Sequence, residues 1–129
     1  MIDWSAFKNF AEWEMRCSYT GNNKMQPEFM QKLQEIRNIF DKPMIVSSGY
    51  RDFTHPLERA KEEPGEHTYG AAADINVWGV HAMELFDIAY HCGIRRLGLN
   101  QTGALSSRFI HIGIGDKLNL NFPSALWTY

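Results

Sequence analysis

The stretch Phe109-Ile110-His111-Ile112-Gly113-Ile114 decides the fold. Successive side chains of a strand point to opposite faces, so Ile110, Ile112 and Ile114 share one face and Phe109, His111 and Gly113 share the other. The isoleucine face belongs to a core. His111 therefore stands on the opposite face, over a neighbour with no side chain to crowd it. The stretch Ala71-Ala72-Ala73-Asp74-Ile75-Asn76-Val77 repeats the pattern. Ala73, Ile75 and Val77 form its apolar stripe, and Ala72, Asp74 and Asn76 face the other way. Two strands thus each offer a potential metal ligand on the side away from the core.

Working outward, Gln26 to Phe40 reads as a helix. Pro27 and Glu28 suit its first turn, and Phe29, Leu33, Ile36 and Phe40 recur on one face. Lys42-Pro43 ends it. Met44-Ile45-Val46 reads as a strand stopped by Ser47-Ser48-Gly49. A long loop follows from Tyr50 to Gly70, holding Pro56, Pro64 and Gly65, and loops of this length in a small domain are commonly functional. Within it Pro56 to Glu63 can form a short helix, and the charged run from Glu58 to Glu63 reads as a solvated surface. Val80 to Cys92 is a second long helix with Gly93 as its cap. Ile94 to Leu99 is a further strand. The tail, Asn119 to Tyr129, contains Pro123 and reads as an ordered coil, and Trp4 to Trp13 as a short helix. Grouped strands with helices to one side predict an α+β fold: a small, mainly antiparallel sheet with helices packed on one side.

Composition narrows the function classes. The 129 residues, 44% of them hydrophobic, suit a single domain over 1–129 with a core that needs no disulfide. Thirteen basic residues against fifteen acidic ones give a charge of −2, which excludes broad phosphate-driven binding of nucleic acid. No apolar run approaches the roughly 20 residues that cross a bilayer, so no membrane partner is expected. The N-terminus lacks a basic segment followed by an apolar one, so no signal peptide is expected. Cys17 and Cys92 occur without a CxxC pair; they read as free thiols, with one disulfide as the alternative.

His67 lies seven residues before Asp74, with Gly70 between them to permit a turn. That spacing suits a loop residue folding back over the start of a strand. Two imidazoles and one carboxylate leave the fourth position of a tetrahedral zinc ion open, which is the form of a catalytic site. On residue type alone His55, His81 and His91 compete as ligands. His81 and His91 fall on the second long helix and read as solvated or helix-end residues.

Three separated motifs add a resemblance. Ser48-Gly49-Tyr50-Arg51, then His67-Thr68-Tyr69-Gly70-Ala71-Ala72-Ala73-Asp74, then Phe109-Ile110-His111 resemble the M15 zinc peptidases, in that order. These are D-alanyl-D-alanine carboxypeptidases and dipeptidase-like enzymes that share a zinc fold with the hedgehog signalling domain. His55-Pro56, the run from Ser107 to His111 and the closing Trp127-Thr128-Tyr129 are similar to small members encoded by bacteriophages. The resemblance implies one Zn²⁺ held by His67, Asp74 and His111. It implies a catalytic Arg51, placed to bind substrate or a developing oxyanion, with a brace for the long loop as the alternative. It implies hydrolysis of peptide bonds in peptidoglycan stem peptides, of D,D-carboxypeptidase or endopeptidase type. The expected setting is the host cytoplasm with release at lysis, or a virion with phage structural proteins as partners. Trp4, Trp13, Trp78 and Trp127 read as core or lid residues, with lining of the cleft by Trp127 and Tyr129 as the alternative.

Two departures from the family pattern stand out. Many members carry an acid a few residues before the last histidine, whereas here Ser106, Ser107 and Arg108 fill that stretch. Small phage-type members often continue His-x-Asp, whereas this chain has His111-Ile112-Gly113. Glu66 and Asp116 are the acids left to take a proton from water. Glu66, next to a ligand on an extended segment, is expected to face away; Asp116, after Gly115, is able to fold back. A zinc-binding phage structural or accessory protein of weak or no activity is the alternative function.

Overall fold

Pro27, with no N–H to lose, opens α1 (Pro27–Phe40), and Asp41 in the left-handed region (φ 53°) closes it. The computed structural model, which describes residues 2–129, then runs through β1 (Ile45–Ser48), α2 (Pro56–Arg59), β2 (Ala72–Asn76), α3 (Gly79–His91), β3 (Arg96–Asn100), β4 (Phe109–Gly113) and β5 (Ala125–Thr128). The five strands form one sheet in the order β1-β2-β4-β3-β5. Three of its pairings are antiparallel, and β3–β5 is parallel. The fold is α+β, as the strand and helix pattern predicts.

The alternation read from β2 and β4 sorts the two faces. Ile75, Ile110 and Ile112 are fully buried against Phe29, Leu33 and Ile36 of α1 and Leu85 and Ala89 of α3. Each large apolar side chain buried this way contributes roughly 1.5–3 kcal/mol. α1 and α3 cover that face, which leaves the opposite face of the sheet to carry polar groups.

Several expectations need correction. The tail is not a coil: Ala125–Thr128 form an edge strand hydrogen-bonded in parallel to β3. Four residues after a proline, at an edge, carry too little periodicity to announce a strand. β1 continues through Ser47 and Ser48 rather than stopping at them, with an irregularity between Val46 and Ser48. The hydroxyl of Ser47 donates to the backbone carbonyl of Asp74 at 3.2 Å, so this serine ties β1 to β2. The segment from Trp4 to Trp13 holds two 3-10 turns, Trp4–Ala6 and Glu12–Met15, because Phe7 and Phe10 between them turn into the core. Trp13, 68% exposed, and Trp78, 43% exposed, lie at the surface instead of in the core. Cys17 and Cys92 are both free.

Candidate metal centre

One row of register partners crosses the entire sheet: Ser48, Asp74, His111, Gly98 and Trp127. Asp74 on β2 faces His111 on β4 directly, and Nδ1 of His111 lies 3.0 Å from Asp74 Oδ1. His67 arrives from a 3-10 turn, Glu66–Tyr69, that Gly70 ends at φ 67°. Its Nε2 lies 3.3 Å from the same Oδ1. The three donor atoms lie within 4.8 Å of one another, and all three residues are at least 96% buried. The structure brings together the set that the sequence singles out. His55 stays apart, capping α2 by accepting from the Leu57 N–H, and His81 and His91 are exposed on α3.

Each member is held from behind. Nδ1 of His67 donates to the Gly49 carbonyl at 2.8 Å; a carbonyl only accepts, so the proton is on Nδ1 and the lone pair on Nε2. Arg51 donates through Nη2 to Oδ2 of Asp74 at 3.3 Å. Nε2 of His111 meets Oε1 of Glu66 at 2.5 Å. The outward-facing edges are thus occupied, while Nε2 of His67, Oδ1 of Asp74 and Nδ1 of His111 converge. Outer partners that orient ligands in this way characterise metal sites, and two nitrogens with one carboxylate oxygen suit zinc.

The electrostatics follow from burial and these contacts. Burial pushes the pKa of His67 below the usual imidazole value, despite the attraction of Asp74. Burial also opposes a charge on His111, but the carboxylates of Asp74 and Glu66 at its two edges outweigh it and raise its pKa. Burial would raise Asp74, yet its contacts with the His111 and His67 rings hold its carboxyl far below the usual range. Glu66 is lowered too: burial works against it, and His111 and Arg96 overcome that cost.

Arg51 is nearly buried and well occupied. Its Nε donates to Ser48 Oγ at 3.0 Å and its Nη1 to Glu58 Oε2 at 3.0 Å. With the bond to Asp74, three of its five N–H groups are engaged. Arg51 therefore braces the long loop and the aspartate together, and it also lines the cleft. Glu58 corrects an expectation, since it is only 2% exposed rather than solvated like the rest of its charged run. It takes bonds from Arg51, Lys61 and the Gly65 N–H.

Glu66 corrects another. On a 3-10 turn, unlike an extended segment, successive side chains do not alternate across a plane, so Glu66 and His67 both turn inward. Asp116 does not join them. It sits in a separate 3-10 turn, Gly115–Lys117, and is no part of the cleft wall. The cleft above the cluster has a volume of about 720 Å³. Trp127, Tyr129, Phe109 and Phe122 give it aromatic walls, and Arg108 on its rim makes no ion pair among the described residues.

On a small α+β sheet, at the floor of an open cleft, lies a buried cluster of two histidines and one carboxylate that could hold a metal ion. The peptidase M15 family model matches residues 8–113, and the chain belongs to that family of peptidases. The match ends with β4, so β5 and its aromatic residues lie beyond it. No curated protein matches the chain. Among the described residues, no helix is long and apolar enough to cross a membrane.

Proposed function

We propose that this chain is a zinc-dependent peptidase acting on bacterial peptidoglycan stem peptides, as a D,D-carboxypeptidase or an endopeptidase. The observation that carries the reading is the convergence of three potential ligand atoms, on His67, Asp74 and His111, beneath a cleft of peptide-sized volume. When bound, zinc supplies Lewis-acid chemistry, acidifying water and polarising a scissile carbonyl. Arg51 fixes Asp74 and turns its remaining N–H groups to an oxyanion or a terminal carboxylate of the substrate. Arg108 adds an unpaired positive charge on the rim, which favours peptides bearing carboxylates. The walls formed by Trp127 and Tyr129 exclude water from one side of the bound peptide.

A second reading, a zinc-binding phage accessory protein of weak activity, draws on one observation. Glu66 and Asp74 are the only carboxylates lining the cleft among the described residues, and both are engaged by protein donors. Metal analysis of the purified protein, paired with digestion of purified peptidoglycan, separates the two. One equivalent of zinc with released peptide or D-alanine is the expected result. His111→Ala should abolish both zinc uptake and release. Zinc without release on any wall peptide leaves the second reading standing, and a protein that takes up no zinc sinks both.

A further inference from the structure

Glu66 is a buried carboxylate that the family pattern does not account for, and its surroundings are shaped to keep it where it is. Its Oε1 accepts from Arg96 Nε at 2.9 Å and meets Nε2 of His111; its Oε2 accepts from the Gly115 N–H at 2.9 Å. Gly113 follows His111 by two residues and shares its face of β4. A Cβ at Gly113 would collide with the Glu66 carboxylate, and one at Gly115 would come within 2.7 Å of Oε2. Two glycines thus clear the volume that the carboxylate fills. The side chain is only 2% exposed, and both of its oxygens are bonded to protein donors.

The ring edges decide the role. Glu66 touches Nε2 of His111, whereas the cluster with Asp74 and His67 forms at Nδ1, on the other side of the imidazole. A general base must reach the proton that it removes, and here an imidazole ring stands between. We infer that Glu66 is a positioning residue: its carboxylate holds the His111 proton on Nε2, fixes the ring's orientation and so presents the Nδ1 lone pair to the metal. Carboxylates behind a ligating histidine do this in other metal sites, and their loss costs on the order of 10- to 100-fold in metal affinity. Gly113, on the strand of His111, makes room for an acid supplied by the turn Glu66–Tyr69.

The inference rests on the zinc reading, and the experiment keeps the two apart. Zinc affinity is measured by competition with a chromophoric chelator for wild type, Glu66→Gln and Gly113→Ala. Histidine ring nitrogens of the zinc-loaded wild type are assigned by ¹⁵N NMR. The expected results are binding roughly 10- to 100-fold weaker in both variants, and a wild-type His111 with metal on Nδ1 and a proton on Nε2. Glu66→Gln that holds zinc as tightly as wild type but no longer hydrolyses peptide would make Glu66 a base and overturn the inference. Metal on Nε2 of His111 would overturn it as well, even if neither variant folds. A wild type that binds no zinc defeats the functional reading itself, whereas zinc bound through Nε2 defeats the positioning role alone.

Discussion

Gly98 occupies the register position between His111 and Trp127, and any larger residue there would put a carbon 2.6 Å from the indole. The absence of a side chain lets Trp127 lie across the sheet with its ring 5.0 Å from that of His111. Gly98→Ala should therefore displace the tryptophan and destabilise the fold by about 1–3 kcal/mol, the usual cost of overpacking a tight contact. Urea denaturation reads the loss, and tryptophan emission shifted to the red reads the displacement. An unchanged midpoint and spectrum would count against the contact. Asp74 and His111 are legible in sequence because strand alternation assigns their face without further knowledge. Glu66 is not, since the prediction turns on whether its backbone is extended or coiled, and a single 3-10 turn of four residues leaves no periodic trace. Nor is the partnership of Gly98 with Trp127, which depends on a parallel pairing between distant segments.

The segment between β1 and β2 is ordered from within by Glu58. Burial would raise its pKa, but the Gly65 N–H, Lys61 and Arg51 outweigh burial and hold it at about 2. A carboxyl lowered on folding stabilises the protein above the unfolded group's range and loses that contribution as pH falls toward the folded value. Glu58→Gln should accordingly be less stable than wild type at neutral pH, with the gap closing between about pH 5 and pH 2. Thermal melts across that range measure it, and a gap that stays constant with pH would exclude the ionised carboxylate as its source. Hydrogen exchange should show faster opening of residues 53–65 in the same variant. The run of charges conceals this from sequence inspection: Glu62 and Glu63 face solvent as expected, and only the short turn of α2 shows which glutamate faces inward.

At the scale of the whole molecule, the long helices and the central antiparallel pairs follow from apolar periodicity, while the parallel edge strand closes the cleft. Removing residues 125–129 should leave His67, Asp74 and His111 on their own elements and so preserve the zinc uptake proposed for them. It should also bare the edge of β3, and unpaired edges favour association between chains. Light scattering should show larger species than the full chain gives, and peptide hydrolysis should fall with the loss of Trp127 and Tyr129. A truncated chain that stays monomeric with full activity would show that the edge strand is dispensable. Asp74 and His111 face each other across β2 and β4 although 37 residues separate them in the chain. A slip of one position between those strands would turn the imidazole toward the helices and Ile112 toward solvent. With zinc as the proposed ligand, its uptake would act as a gauge of alignment: the fraction of molecules that load would set a lower bound on the fraction whose two central strands have zipped correctly.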